Sequence, residues 1–273
     1  MSPITLDIAE DIATVTFVNP PRGYLNAAQA QELEQAADEL AADSRVRAVI
    51  FTGGVPGVFI RHYDIAEIVQ FAAVVRSSGL DDEALMEQAR AGSVVSNTFD
   101  KMDRLPKPTI AAINGYCQGG GFEFALCCDL RIAEAGNYPI GLPETNVGIF
   151  PGAGGTERLP RLIGEARAIE LILRGRTVCP DEALSLGLVH EVTHIPVLDR
   201  AREIAREFTA KPAGGLAAAK ALVKAGGDLG LADACAIARG RFSRLIADDS
   251  DADAAMRRFL AEGENINTSR NQA

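Results

Sequence analysis

Apolar and polar residues alternate at the start of the chain, in Ile4-Thr5-Leu6-Asp7-Ile8 and again in Ala13-Thr14-Val15-Thr16-Phe17. A period of two puts each set of side chains on one face of a strand, so these segments predict two strands joined near Glu10-Asp11. Asn19-Pro20-Pro21-Arg22-Gly23 then interrupts regular structure. Over residues 27–42 the period becomes helical, with Leu33, Ala36, Ala37 and Leu40 on one face, and residues 47–51 follow as a short buried strand. Further on, a long helix is predicted over residues 82–104, a strand over 109–113, a helix over 121–128 and a strand over 130–133. The strand-and-helix units are similar in kind, but too different in sequence to form a repeat. Beyond Pro180 the pattern is almost wholly helical, with helices at 197–209, 215–225, 231–246 and 252–262 and a polar, frayed end at 265–273. The pattern predicts an α/β body over residues 1–195 followed by a helical region over 196–273.

Composition narrows the class. With 273 residues, 47% of them apolar, the chain can bury a continuous core. Its longest apolar stretches, 46–52 and 109–113, fall far short of the roughly 18 residues needed to cross a bilayer, so no membrane span is expected. The N-terminus has neither the basic start nor the apolar run of a secretory signal, and the expected location is the cytoplasm. Five cysteines without CxxC spacing point to reduced, mostly buried thiols. A formal charge of −10 argues against nucleic acid as a partner and requires that any anionic ligand find its cations locally.

Asn114-Gly115-Tyr116-Cys117-Gln118-Gly119-Gly120-Gly121-Phe122-Glu123 lies between an apolar strand and an apolar helix. Three glycines there free the backbone to approach a ligand, and amides at a helix N-terminus favour negative charge. A flexible turn is the plainer account of such a run. The spacing fits neither a Walker loop nor a dinucleotide fingerprint. Glu123, among Phe122, Phe124, Ala125 and Leu126, would lose hydration and rise in pKa; equally, it can serve only to complement a helix dipole. Glu144 follows Pro143, which favours a helix start, and a second glycine loop follows in Pro151-Gly152-Ala153-Gly154-Gly155-Thr156. Spacing alone does not show that the two acids meet.

The runs NGYCQGGGFEFALCCD (114–129) and PETNVGIFPGAGGTERLPRLIG (143–164), with the segment 53–65, closely resemble the enoyl-CoA hydratase/isomerase (crotonase) superfamily over residues 15–192. The resemblance implies a crotonase spiral of ββα units followed by a helical region that packs subunits into a homotrimer or homohexamer. It implies an acyl-CoA thioester substrate, hydration of a trans-2-enoyl-CoA and no metal or redox cofactor. By similarity, the N–H groups of Tyr63 and Gly120 form an oxyanion hole, and Glu123 and Glu144 form the acid/base pair. Substrate or CoA contacts are implied at Arg22, Tyr24, Ile60, Arg61, Asp64, Gly119 and Phe259.

The chain also departs from that pattern. Ile60-Arg61-His62 stands where small residues are usual, so side chains are expected to intrude beside the first oxyanion amide. Arg61 offers a cation for CoA phosphates or is a solvated loop residue, and His62 is either a third titrating group or a bystander. Glu262 stands at the position of a CoA-binding lysine, with Arg257 and Arg258 nearby. The alternatives are an enoyl-CoA isomerase, another lyase of this fold, or a non-catalytic binding protein or scaffold. Residues 69–90, which should line or cover the acyl pocket, carry no legible specificity code.

Overall fold

Strand β1 (Ile4–Ala9) pairs antiparallel with β2 (Ile12–Phe17) through the turn at Glu10 and Asp11, both at positive φ, as the alternation predicts. The computed structural model describes residues 3–227 and 229–262, so the expectation for residues 265–273 lies outside the described part. After the break at 19–23, Asn26 caps helix α1 (Ala27–Ala42) by accepting from Gln29 N–H at 2.9 Å, and Leu33, Ala36, Ala37 and Leu40 are buried as the spacing predicts. Next come β3 (Ala48–Gly53), β4 (Val58–Ile60), α2 (Ile65–Ser78), α3 (Asp82–Arg90), α4 (Val94–Asp103), β5 (Thr109–Ile113), β6 (Tyr116–Gln118), α5 (Gly120–Cys127), β7 (Leu130–Glu134) and β8 (Ile140–Gly141). A 3-10 turn (Glu144–Val147) leads to α6 (Gly155–Ile163), α7 (Glu165–Leu173), β9 (Thr177–Val178), α8 (Pro180–Leu186), β10 (Glu191–Thr193), α9 (Val197–Thr209), α10 (Ala213–Gly226), α11 (Leu231–Asp248) and α12 (Ser250–Ala261).

The long helix expected over 82–104 is in fact two. Gly92 takes φ +77°, and Ser93 starts α4 with a capping box in which Ser93 and Ser96 satisfy each other's backbone N–H. That exchange meets the helix-start donors locally, so a break inside an otherwise periodic stretch costs little.

The strands form two sheets, ordered β1-β2-β3-β5-β7-β10 and β4-β6-β8-β9. From β2 to β10 the larger sheet is parallel. Its alternate side chains enter two cores, since Val49 and Phe51 join one cluster and Ala48 and Ile50 the other. On the second face Ile12, Ile50, Ile110 and Ile132 meet Val197, Ala201, Ile204 and Ala205 of α9. The first core centres on Phe124, whose ring lies 5.2 Å from Phe17, 5.0 Å from Phe51 and 5.5 Å from Phe99. Phe124 therefore ties α5 to the larger sheet and to α4, and α5 is buried along its whole length.

Helices α10, α11 and α12 bury no residue fully within the chain. Two lysines attach α10 to the body, Lys220 to Asp129 at 2.8 Å and Lys224 to Asp103 at 2.5 Å. Cys117, Cys127 and Cys128 are buried free thiols, which fits the expectation from their spacing. No described helix is long and apolar enough to cross a membrane.

Candidate active site

In the smaller sheet β4, β6 and β8 run parallel, so their carboxyl ends emerge on the same side. Beyond β4 come Arg61, His62 and Tyr63; beyond β6 come Gly119, Gly120 and Glu123; beyond β8 come Pro143 and Glu144. The outlet of a parallel sheet is where ligands commonly bind in α/β folds. Three segments that are distant in sequence converge there.

Gly119 carries the chain from β6 directly into α5 at φ +51°, with its N–H held by Gly141 O at 2.9 Å. That φ favours glycine, and a methyl group there would come 3.0 Å from Glu144 Oε1 and 3.6 Å from His62 Cβ. Glu144 and His62 thus flank the start of α5. At the next residue, a methyl group on Gly120 would lie 3.1 Å from Tyr63 Cβ and 3.4 Å from Tyr63 N. The two amides proposed for the oxyanion hole are neighbours across the gap. Among the loop, turn and cap hydrogen bonds of the described residues, neither of these N–H groups donates.

Glu123, in the first turn of α5, is 3% exposed. Its Oε1 accepts from Ala153 N–H at 2.7 Å and Gly155 N–H at 2.9 Å, so the carboxyl caps the N-terminus of α6. The glycine loop at 151–155 thereby holds Glu123 rather than a free ligand. Burial pushes the Glu123 pKa up, while the two amides and Arg158 oppose that rise. Arg158 in turn bonds Ala153 O at 3.1 Å and Asp100 at 2.8 Å.

Glu144 begins the 3-10 turn after Pro143, as the sequence predicts. Thr145 Oγ1 donates to Ile172 O and Asn146 Nδ2 to Gly175 O, each at 2.8 Å, so the turn is fastened to the end of α7. Both carboxyl oxygens of Glu144 are withdrawn from solvent and have no hydrogen-bond partner among the described residues. Burial first, and the charge of Glu123 second, push its pKa up to about 7. The two acids therefore feel each other. A buried carboxyl without donors is costly when ionised, and holding a proton relieves that cost.

The Ile60-Arg61-His62 segment differs from expectation. Ile60 is 1% exposed and belongs to the main core, and a methyl group on Gly121 would overlap its carbonyl. The expected intrusion is thus corrected for Ile60, whose side chain contributes to packing. Arg61 lies over the Tyr116 ring at 4.3 Å and its Nε donates to Arg22 O at 3.2 Å. Arg22 donates to Tyr24 OH at 3.4 Å, and Tyr24 stacks on His62 with centroids 4.3 Å apart. Arg22, Tyr24, Arg61 and His62 form one cluster beside Gly119. Asp64 accepts from Ala66 N–H at 2.9 Å as the N-cap of α2, which gives it a structural task. Phe259 lies on α12, which packs chiefly on α10 and α11, so within one chain it is not brought to the glutamates. Residues 69–90 run from α2 through the link at 79–81 into α3, helices without a buried side chain.

A cavity of about 730 Å³ lies between α4, the 152–154 loop and α10, bordered by Leu105, Arg158, Ala221 and Lys224. It lies behind the loop that holds Glu123, and neither glutamate lines it.

The sequence reading missed Ala153 and Gly155 as the donors on Glu123. The glycine loop ahead of α6 marks a helix start in need of an acceptor, but it does not say which carboxylate supplies one.

The family model for enoyl-CoA hydratase/isomerase matches residues 7–265. The chain belongs to that family. A short-chain-enoyl-CoA hydratase of Clostridium acetobutylicum is 32% identical over 254 residues, 92% of each chain. A crotonyl-CoA hydratase of Syntrophomonas wolfei is 37% identical over 191 residues, covering 69% of this chain and 68% of the relative. The crystal structure of an enoyl-CoA hydratase from Bacillus anthracis superimposes with a TM-score of 0.82 at 30% identity, over 95% of this chain and 96% of that one. The expected crotonase fold is thereby established, and the chain is an enzyme of the enoyl-CoA hydratase/isomerase family.

Proposed function

We propose that the chain adds water to a trans-2-enoyl-CoA to give a 3-hydroxyacyl-CoA, and catalyses the reverse, with Glu123 as base and Glu144 as acid. The thioester oxygen sits between the N–H groups of Tyr63 and Gly120. As Glu123 draws a proton from water, the water oxygen bonds to C3, the double-bond electrons move toward C2 and the carbonyl, and negative charge grows on the thioester oxygen. Two fixed amides stabilise that charge without reorganising, and each such donor is typically worth about 3 kcal/mol of barrier. Glu144 delivers its proton to C2. Atoms and electrons balance with water alone, so the step calls for no metal or redox cofactor.

One observation carries this reading: Glu123 is held by two amides, whereas Glu144 is buried without a donor and pushed up to about 7. Two carboxyls held in such different surroundings suit water addition, which needs a base and an acid together. Isomerisation moves one proton within the substrate and does not call for the pair. The test follows loss of crotonyl-CoA absorbance in the ultraviolet, with product analysis to separate 3-hydroxyacyl-CoA from an isomer. A Glu123→Ala, Glu144→Ala double variant is expected to lose at least about 10³-fold in kcat; an undiminished rate would sink the proposal.

The acyl-CoA anion, in a chain of charge −10, then meets Arg22 and Arg61 beside Gly119. The absence of fully buried residues in α10–α12, with Leu231, Phe242 and Leu260 exposed, supports assembly as a homotrimer or homohexamer. Light scattering coupled to size exclusion would test it, and a monomer at micromolar concentration would overturn it.

A further inference from the structure

The hydrogen bonds around Tyr63 explain how its amide is aimed. Residues 61–64 are stitched to 23–25: Arg61 N–H donates to Gly23 O at 2.8 Å, Leu25 N–H to His62 O at 2.9 Å and Asp64 N–H to Leu25 O at 2.8 Å. The His62–Tyr63 peptide is trans, so its N–H points opposite to its carbonyl. With that carbonyl turned to Leu25, the N–H is turned to the side where Gly120 lies.

Side chains then fix the residue that bears this amide. Tyr63 OH donates to Glu67 Oε2 at 2.6 Å, and the same oxygen accepts from Ala27 N–H at 2.9 Å, at the first residue of α1. Glu67 itself lies in the first turn of α2. One carboxylate oxygen therefore joins the start of α1, the start of α2 and Tyr63. On the other side, His62 Nδ1 donates to the Tyr63 carbonyl at 2.6 Å while its ring lies on Tyr24. Burial and the neighbouring Glu67 push the Tyr63 hydroxyl pKa up, so it stays a donor at any working pH.

We propose that the Tyr63 hydroxyl and the Glu67 carboxylate are positioning groups for the oxyanion hole, holding the Tyr63 N–H on the thioester oxygen by anchoring the side chain of the residue that carries it. The inference rests on the hydratase reading above and deepens it. Both are assigned to act through the amide and not on the substrate. Both act on a donor whose partner gains charge only in the transition state, so their loss falls on kcat rather than KM.

Tyr63→Phe keeps the ring and removes the hydroxyl; Glu67→Ala removes the acceptor; Glu67→Gln keeps an acceptor oxygen. Each is measured for kcat and KM on crotonyl-CoA, for melting temperature, and for the absorbance of a bound cinnamoyl-type CoA ester, whose band moves to longer wavelength as its carbonyl is polarised. Tyr63→Phe and Glu67→Ala are expected to lower kcat about tenfold, in line with a small misplacement of a catalytic donor, and to shrink the band shift with KM within about twofold. Because the two groups act as a unit, the double variant should be no worse than the poorer single. Glu67→Gln should recover most of both readouts. If Tyr63→Phe does not fold, the Glu67→Ala and Glu67→Gln pair carries the same test. Variants that match the wild type in kcat and band shift, or lose only in KM, overturn the inference and leave the hydratase reading standing. A wild type without turnover and without a band shift overturns that reading and the inference with it.

Discussion

At the head of α5, Glu123 meets the start of α6 and accepts two amide hydrogen bonds on one oxygen; in the turn after β8, the Glu144 oxygens accept none from the described residues. The chemistry of the two side chains is identical, so the difference lies in their surroundings, the backbone donors among them. A helix N-terminus supports the ionised form. A pocket without donors supports the protonated form. One fold therefore gives two glutamates different surroundings, and the charge of the first helps to raise the pKa of the second.

The sharpest way to break this contrast is to take the proton from Glu144. Glu144→Gln is expected to lower kcat about 10²- to 10³-fold, the scale of one general acid. Since the acid acts only while protonated, wild-type kcat should fall as pH rises through about 7, and this limb should vanish in the variant's residual rate. A wild-type profile flat from pH 5 to pH 9 would remove Glu144 from the acid role. Gly155→Ala attacks the other side. Its methyl group would meet Pro151 Cβ at 2.8 Å, Leu142 Cδ1 at 2.9 Å and Glu123 Cγ at 3.0 Å. Displacing Glu123 from its two donors should cost about tenfold in kcat with Glu144's pH limb kept, which separates the two acids.

The smallest effect concerns stability. The folded-state pKa of Glu144 is raised from 4.5 to about 7, so between those values the folded chain holds a proton that the unfolded chain has released. Stability from this site is therefore complete below about pH 4.5 and is lost as pH rises toward 7. Glu144→Gln should match the wild type at pH 4 and exceed it at pH 8 by on the order of 2 kcal/mol, allowing for partial solvent access. Urea unfolding at the two pH values would check this, and a variant less stable at pH 8 would contradict it.

Much of the scaffold was legible because periodicity is enforced by burial. Leu33, Ala36, Ala37 and Leu40 share a face for that reason, and Val49 and Phe51 part from Ile50 for the same one. Helix α2 escaped because apolar residues run round every face of 65–75, Val69, Phe71 and Val74 on the exposed side included, leaving no separate stripe to count. The break at Gly92 escaped because a serine capping box ends and restarts a helix without disturbing the apolar rhythm around it. At the site, Glu123 and Glu144 stood out through neighbouring glycines and through resemblance. The amides that hold Glu123 were not legible: they come from Ala153 and Gly155, about 30 residues away, and backbone donors have no sequence signature of their own. Tyr63 and Glu67, four residues apart, were on view, but the helix that pairs them was not anticipated.

Between the last residue of β6 and the first of α5 stands a single glycine, Gly119. Strand register and helix phase are thus geared together without slack. Inserting one residue there would turn Glu123 by about 100° around the axis of α5, away from the loop that receives it. Loop lengthening, the usual route by which enzymes on shared scaffolds diverge, is closed at this joint. At this joint, chemistry can change only by exchanging side chains on a fixed frame.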